Sequence, residues 1–154
     1  MKRIILNATC TVEGMKFITL AASSKYTQIQ VRPRIAEYGT QGLEIDCLLT
    51  RPETVTSVFF IQLSRGEPIK TEKKIVLVLG SGISWQTAGF QNRSTASGQL
   101  SPVASANLRF SIRNDSIQCP YDFSEYFCSS SFLTTTSGAV TENTNPAQVS
   151  YSGE

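Results

Sequence analysis

The chain of 154 residues contains no histidine, and this absence removes several classes of enzyme from consideration. Histidine-activated serine or cysteine nucleophiles, histidine general bases and the usual zinc-hydrolase ligand sets all need that residue. The four cysteines form no Cys-x-x-Cys pair, which argues against zinc knuckles and thioredoxin-like redox sites. We therefore expect no catalytic site, no metal site and no cofactor, and interpret the chain as a non-enzyme.

Long apolar runs and a strong excess of one charge are also missing. The chain has 14 Lys and Arg against 12 Asp and Glu, so its charge gives no reason to expect nucleic acid or an anionic membrane as partner. No apolar run approaches the roughly 20 residues that cross a bilayer as a helix, so no transmembrane segment is expected. Short β-branched and aromatic runs separated by turns predict an all-β protein with one core.

The most informative motif that is present is DFSEYFC, at residues 122–128. Side chains at alternate positions of a β-strand point to the same side. Asp122, Ser124, Tyr126 and Cys128 are therefore predicted to share one face, which has to bury a tyrosine ring and a cysteine.

A second segment, residues 42–49, alternates in the same way. Its apolar positions, which include Cys47, are separated by Glu44 and Asp46. Such alternation predicts a strand with one buried face and one face in water.

The first motif resembles strand F of an immunoglobulin domain, in the D-x-G/A/S-x-Y-x-C form of variable-type and related domains. The resemblance implies an immunoglobulin-like Greek-key β-sandwich, with Tyr126 as the corner tyrosine and Cys128 bridging the two sheets. The segment that contains Cys47 then resembles strand B, and Cys47 is the implied partner of Cys128. A bond between them closes a loop of roughly 80 residues, worth about 4–5 kcal/mol in the chain-entropy model. The resemblance also implies a structural salt bridge from Asp122 to an arginine at the start of strand D, for which Arg93 is the candidate.

Other runs fit the remaining strands of such a domain. Strands C, C′ and E are expected, in that order, at residues 56–64, 74–79 and 108–112. Immunoglobulin domains usually carry a core tryptophan in strand C, and Phe59 is expected to take that place here. The stretch 81–106 is rich in Gly, Ser, Thr and Asn, which predicts short or irregular strands C″ and D.

Two departures narrow the resemblance. The only tryptophan, Trp85, lies outside strand C, and no F/W-G-x-G sequence follows Cys128. We therefore interpret the domain as variable or intermediate in type, and not as an antibody or T-cell receptor domain. Cys119, just before the motif, resembles an arrangement met in some invertebrate immune and cell-surface immunoglobulin domains. The resemblance covers about residues 29–151.

The beginning of the chain allows three interpretations. Residues 1–26 are interpreted as a leader or as the remnant of a preceding immunoglobulin-like domain, its F–G hairpin, with the complete domain at 27–154. The spacing from Cys10 to Val31 recurs after Cys128, with a glutamine before each valine, which is the argument for the remnant. Ala8, which stands where the corner tyrosine would be, is an argument against it. A degenerate signal sequence is the third interpretation, although no clean signal peptide is evident.

Cysteine and sequon usage indicates an extracellular, oxidising location. Asn7, Asn92 and Asn114 each begin an Asn-x-Ser/Thr triplet and are candidate N-glycosylation sites. Cys10 and Cys119 have three open states, which are a mutual bond, free thiols and bonds to another chain. A mutual bond is not expected.

Function is expected in loops carried on a rigid scaffold. The implied F–G loop, residues 129–140, places seven hydroxyl side chains around Phe132 and Leu133, which are expected to be exposed and to contact a ligand. An ordinary solvated hairpin tip is the alternative for this loop.

The expected function is an extracellular recognition or adhesion module that binds a protein or glycan partner, as one unit of a larger chain with further immunoglobulin-like domains. The alternative function is that of a structural spacer in a glycosylated, multi-domain ectodomain. Exposed aromatic side chains at the loops would favour recognition, and glycans over both faces would favour the spacer.

Overall fold

The computed structural model describes residues 16–37, 40–66, 72–118 and 121–152, which form two antiparallel β-sheets packed face to face. The strands are β1 (Lys16–Leu20), β2 (Ala22–Ser23), β3 (Thr27–Arg32), β4 (Ile35–Glu37), β5 (Leu43–Leu49), β6 (Val55–Arg65), β7 (Lys73–Leu79), β8 (Gly82–Trp85), β9 (Ser94–Gln99), β10 (Asn107–Ile112), β11 (Glu125–Thr134), β12 (Gly138–Asn143) and β13 (Ala147–Ser152). One short helix, α1 (Ala88–Gln91), and two 3-10 turns (Pro52–Thr54 and Val103–Ser105) complete the described elements. None of the described helices has the length and apolar character needed to span a membrane.

The larger sheet has the order β4-β1-β13-β11-β6-β7-β8, and β12 also pairs with β11. The smaller sheet has the order β2-β3-β5-β10-β9. Strands B, C, C′, E and F of the sequence prediction correspond to β5, β6, β7, β10 and β11. The all-β sandwich that the strand pattern and the immunoglobulin resemblance predicted is therefore confirmed.

The covalent link between the sheets joins β5 to β11. Cys47 and Cys128 form the predicted disulfide, with Cα atoms 5.9 Å apart. Both residues are buried, and so are Ile45 and Tyr126, which lie two positions before them on the same faces. The bond therefore identifies the inward face of each strand.

The segment that leads into β11 is held by a buried ion pair and a tyrosine corner. Arg93 donates to both carboxylate oxygens of Asp122, at 2.6 Å each, and the main-chain N–H of Gln118 donates to Oδ2 at 2.7 Å. The Tyr126 hydroxyl donates to the main-chain oxygen of Asp122 at 2.7 Å. Asp122 and Tyr126 are both fully buried, so these bonds satisfy polar groups that water does not reach.

A bulge in β6 overturns the expectation that Phe59 belongs to the core. On the partner strand β11, consecutive residues pair with Phe60 and then with Val58, which leaves Phe59 without a partner. The extra residue shifts the alternation by one, because a bulge places two residues of one strand opposite one residue of the other. Val58 and Ile61 are buried, while Phe59 is 47% exposed.

The stretch predicted to be irregular contains two regular strands. β9 pairs with β10 over six residues and alternates half-buried and exposed positions. Its small side chains give no apolar signal, and Gly98 is needed because a Cβ there would collide with the main-chain oxygen of Asn107. Trp85 of β8 packs edge-on against Phe110, with ring centroids 6.3 Å apart, and so joins the core from this side.

The division expected between residues 26 and 27 does not coincide with an edge of the sandwich. β1 pairs with both β13 and β4, and β2 pairs with β3, so residues 16–26 contribute to both sheets. Thr19 is buried and its hydroxyl donates to the main-chain oxygen of Pro33 at 2.7 Å. Cys10, Asn7 and Cys119, for which expectations were stated above, lie outside the described residues.

Removal of the inter-sheet bond should weaken the fold strongly. The double variant Cys47→Ala with Cys128→Ala is expected to lower the free energy of unfolding by about 3–5 kcal/mol, because the unfolded chain regains the entropy that the closed loop had removed. Urea denaturation of the oxidised wild type and of the variant measures the difference. A loss below about 1 kcal/mol would show that the bond is not a main source of stability.

Burial raises the pKa of the Tyr126 hydroxyl above its usual value of 10.0, and the charge of Asp122 acts in the same direction. The folded state thus keeps Tyr126 neutral at a pH at which the unfolded chain ionises, so stability falls as the pH rises above about 10. Tyr126→Phe should cost about 1 kcal/mol at neutral pH through the lost hydrogen bond, yet lose less stability between about pH 8.5 and pH 10.5 than the wild type. Urea denaturation at both pH values tests this, and an equal alkaline loss in the two proteins would contradict it.

Candidate functional site

Four connections between strands meet at one end of the sandwich, which we call the loop end: residues 50–54, 80–81, 100–106 and 135–137. The main-chain N–H of Thr135 donates to the oxygen of Thr54 at 3.1 Å, which ties the hairpin turn to the β5–β6 connection. The two 3-10 turns lie against each other. The loop end therefore combines surfaces from both sheets.

The implied F–G loop, residues 129–140, is for the most part a β-hairpin. β11 continues to Thr134, and the turn occupies only residues 135–137 before Gly138, whose φ is 71°. The main-chain N–H of Ser137 donates to the Thr134 hydroxyl at 2.8 Å. Hydroxyl side chains suit paired strands as well as loops, so the Ser/Thr-rich composition did not distinguish the two.

The expectation that Phe132 is an exposed ligand contact is wrong. It lies on the same face of β11 as Cys128 and is fully buried, with its ring edge-on to Tyr26 at a centroid distance of 5.3 Å. Leu133 lies on the opposite, outer face and is half-buried. Of the predicted pair, only Leu133 remains available to a partner.

The bulge in β6 presents the aromatic side chains of the loop end. Phe60 lies opposite Ser131, which faces outward like Leu133, so Phe60 belongs to the outer face of the larger sheet. Phe59, the unpaired residue, is 47% exposed and borders a cavity of about 390 Å³. This cavity, the loop-end pocket, is lined by Thr56, Ser57, Val58, Phe59, Gly80, Leu100, Ser101 and Val103.

The loop-end pocket is suited to an uncharged, largely apolar group. The apolar residues Val58, Leu100 and Val103 contribute to its lining, together with Thr56, Ser57 and Ser101, which carry hydroxyl groups. None of the lining residues ionises, so binding there would depend on buried apolar area and neutral hydrogen bonds. Over the described part of the chain, no cluster of His, Cys, Asp and Glu is placed to hold a metal ion.

Sequence reasoning missed the side of the pocket formed by the segment after β9. Leu100 and Val103 fall in the stretch predicted to be irregular, and neither was singled out. The available signal was weak: Leu100 and Val103 are isolated apolar residues on either side of Pro102 in a polar stretch.

Two of the candidate glycosylation sites, Asn92 and Asn114, do not belong to the pocket lining. Asn92 follows α1 and is exposed, and Asn114 is exposed in the turn after β10. Asn7 lies outside the described residues.

The same substitution at two phenylalanines tests the bulge. Phe59→Ser should lower the free energy of unfolding by no more than about 1.5 kcal/mol, because nearly half of the residue is already in solvent. Phe132→Ser should cost at least about 3 kcal/mol, because it empties a buried site and buries a hydroxyl group. Chemical denaturation of both variants gives the comparison. A larger loss of stability from Phe59→Ser than from Phe132→Ser would show that Phe59 belongs to the core after all.

Comparisons with known proteins bear on the fold alone. No protein-family model and no curated protein matches the sequence. A solved structure of murine CRIg matches with a TM-score of 0.55 and 12% sequence identity, over 82% of this chain and 96% of that chain. The topology, the inter-sheet disulfide and this likeness agree, and the chain has the fold of an immunoglobulin-like Greek-key β-sandwich.

Proposed function

We propose that the chain is an extracellular, non-enzymatic recognition domain of variable or intermediate immunoglobulin type, which binds a partner protein through its loop end. The observation that carries this proposal is Phe59, a large aromatic side chain that the β6 bulge turns into solvent beside an apolar pocket. Bulges recur next to functional sites, where they redirect a side chain.

The physical argument is one of interface anchoring. Energetic hot spots in protein interfaces are rich in aromatic residues that become fully desolvated on binding, surrounded by contacts that exclude water. Phe59 and the half-buried Phe60 supply such aromatic area, and Leu79, which is 37% exposed, lies next to Gly80 of the pocket. A partner that inserts an apolar side chain into the pocket would cover all three apolar side chains.

Two features support an extracellular location. The buried disulfide between Cys47 and Cys128 is of the kind that persists in oxidising compartments. Asn92 and Asn114 begin glycosylation triplets, and both side chains are exposed, which a glycan requires.

Binding of a multivalent form of the domain to displayed partners tests the proposal. The chain is secreted from eukaryotic cells, assembled as a tetramer, and screened against a panel of cell-surface proteins and a glycan array. Phe59→Ser should weaken binding to a protein hit by at least about tenfold, as expected for loss of an aromatic anchor. Ile35→Ser is the matched control, since Ile35 is 60% exposed and lies on β4, away from the pocket lining.

If Phe59→Ser bound the partner as tightly as the wild type, the loop end would not be the binding surface. Binding to glycans alone, or the absence of any hit together with glycans at both Asn92 and Asn114, would favour the spacer function over protein recognition.

A further inference from the structure

A second cavity lies at the opposite end of the smaller sheet. The register pairs Arg32 with Glu44 and Leu43 with Ile112, so β3 and β10 end where β5 begins. A cavity of about 670 Å³ opens at this point. We call it the basal groove, and it is lined by Arg32, Pro33, Arg34, Gln41, Gly42, Leu43, Glu44, Ser111, Ile112 and Arg113.

The charge of the groove is positive. Three arginines line it, against one acid, Glu44. That carboxylate is already engaged, by Arg32 at 2.6 Å and by Arg109 of the neighbouring strand at 3.5 Å. A ligand would therefore meet Arg34 and Arg113, whose charge Glu44 does not offset.

Two of these arginines are accessible to a ligand. Arg34 is exposed. Arg113 pairs with Asp115, but these side chains are 76% and 60% exposed, and ion pairs this open to solvent contribute little. A carboxylate of a ligand can compete for both guanidinium groups, with the paired hydrogen bonds that arginine and carboxylate form well.

The floor of the groove is apolar. Leu43 and Ile112 line it but are each only 1% exposed, so Pro33, which is half-buried, is the apolar lining residue that a ligand can reach. A sulfated sugar chain would cover this surface with polar atoms, whereas a peptide can place an apolar side chain on it. The positive rim and the apolar floor together match a peptide whose sequence alternates acidic and apolar residues.

We infer that the basal groove binds an acidic peptide segment of a partner protein, with its carboxylates on Arg34 and Arg113 and an apolar side chain against Pro33. This surface lies at the other end of the sandwich from Phe59 and shares no residue with the loop-end pocket. Peptide binding in the basal groove is therefore independent of recognition at the loop end, and the two can be tested separately.

Fluorescence anisotropy with a labelled decapeptide of alternating glutamate and leucine tests the inference on the full chain at low salt. Saturable binding to the wild type is expected, weakened about tenfold or more by Arg34→Glu, which reverses one charge at the rim. Arg51→Glu makes the same change at an exposed arginine of the loop end and should leave binding unchanged. Ser111→Trp, which fills the groove without changing its charge, should weaken binding as well.

Each other result overturns the inference. If Arg51→Glu weakened peptide binding as much as Arg34→Glu, the peptide would be attracted by the overall charge of the protein and not by the groove. Equal binding of a glutamate–serine decapeptide would mean that the apolar floor is not used. Tighter binding of a heparin oligosaccharide, lost in Arg34→Glu, would assign the groove to sulfated glycans. Absence of binding at millimolar peptide would leave the groove without this ligand.

Discussion

The covalent bond between Cys47 and Cys128 is the constraint on which the rest of the structure depends. It joins the central strands of two sheets and so decides which face of β5 and of β11 is inward. From Cys128 onward, alternate residues of β11, including Phe132, face the core. The residues of β6 that pair with them therefore face the core as well. The buried pair of Arg93 and Asp122 and the Tyr126 hydroxyl bond then hold the approach to β11 in one position.

The same constraint explains why an aromatic residue is exposed. Because β11 cannot shift relative to the disulfide, the mismatch between β6 and β11 is absorbed by a bulge at Phe59. The bulge keeps Val58 in the core and releases Phe59 to solvent at the loop end, beside Leu100 and Val103. One extra residue in a strand thus creates the apolar anchor on which the proposed recognition function rests, whereas the basal groove depends on arginines at strand ends.

Features carried by a short motif with fixed spacing were predictable, and features that depend on a partner strand were not. The run from Asp122 to Cys128 resembles strand F, and this resemblance, together with the alternating segment around Cys47, implied the disulfide, the tyrosine corner and the salt bridge to Arg93. The placement of Phe59 failed, because strict alternation holds only where no bulge intervenes. The hairpin at Phe132 was read as a loop because serine and threonine occur in both. The pocket residues Leu100 and Val103 come together only through tertiary contact.

Hydroxyl-radical footprinting of the native protein, read out by mass spectrometry, tests the account most directly. Phe59 and Phe132 have the same intrinsic reactivity, so their oxidation rates compare their access to solvent alone. The structure predicts rapid oxidation of Phe59 and protection of Phe132 until the protein unfolds. Protection of Phe59 together with oxidation of Phe132 would contradict it, because β6 would then lack the bulge and the aromatic anchor would lie in the hairpin.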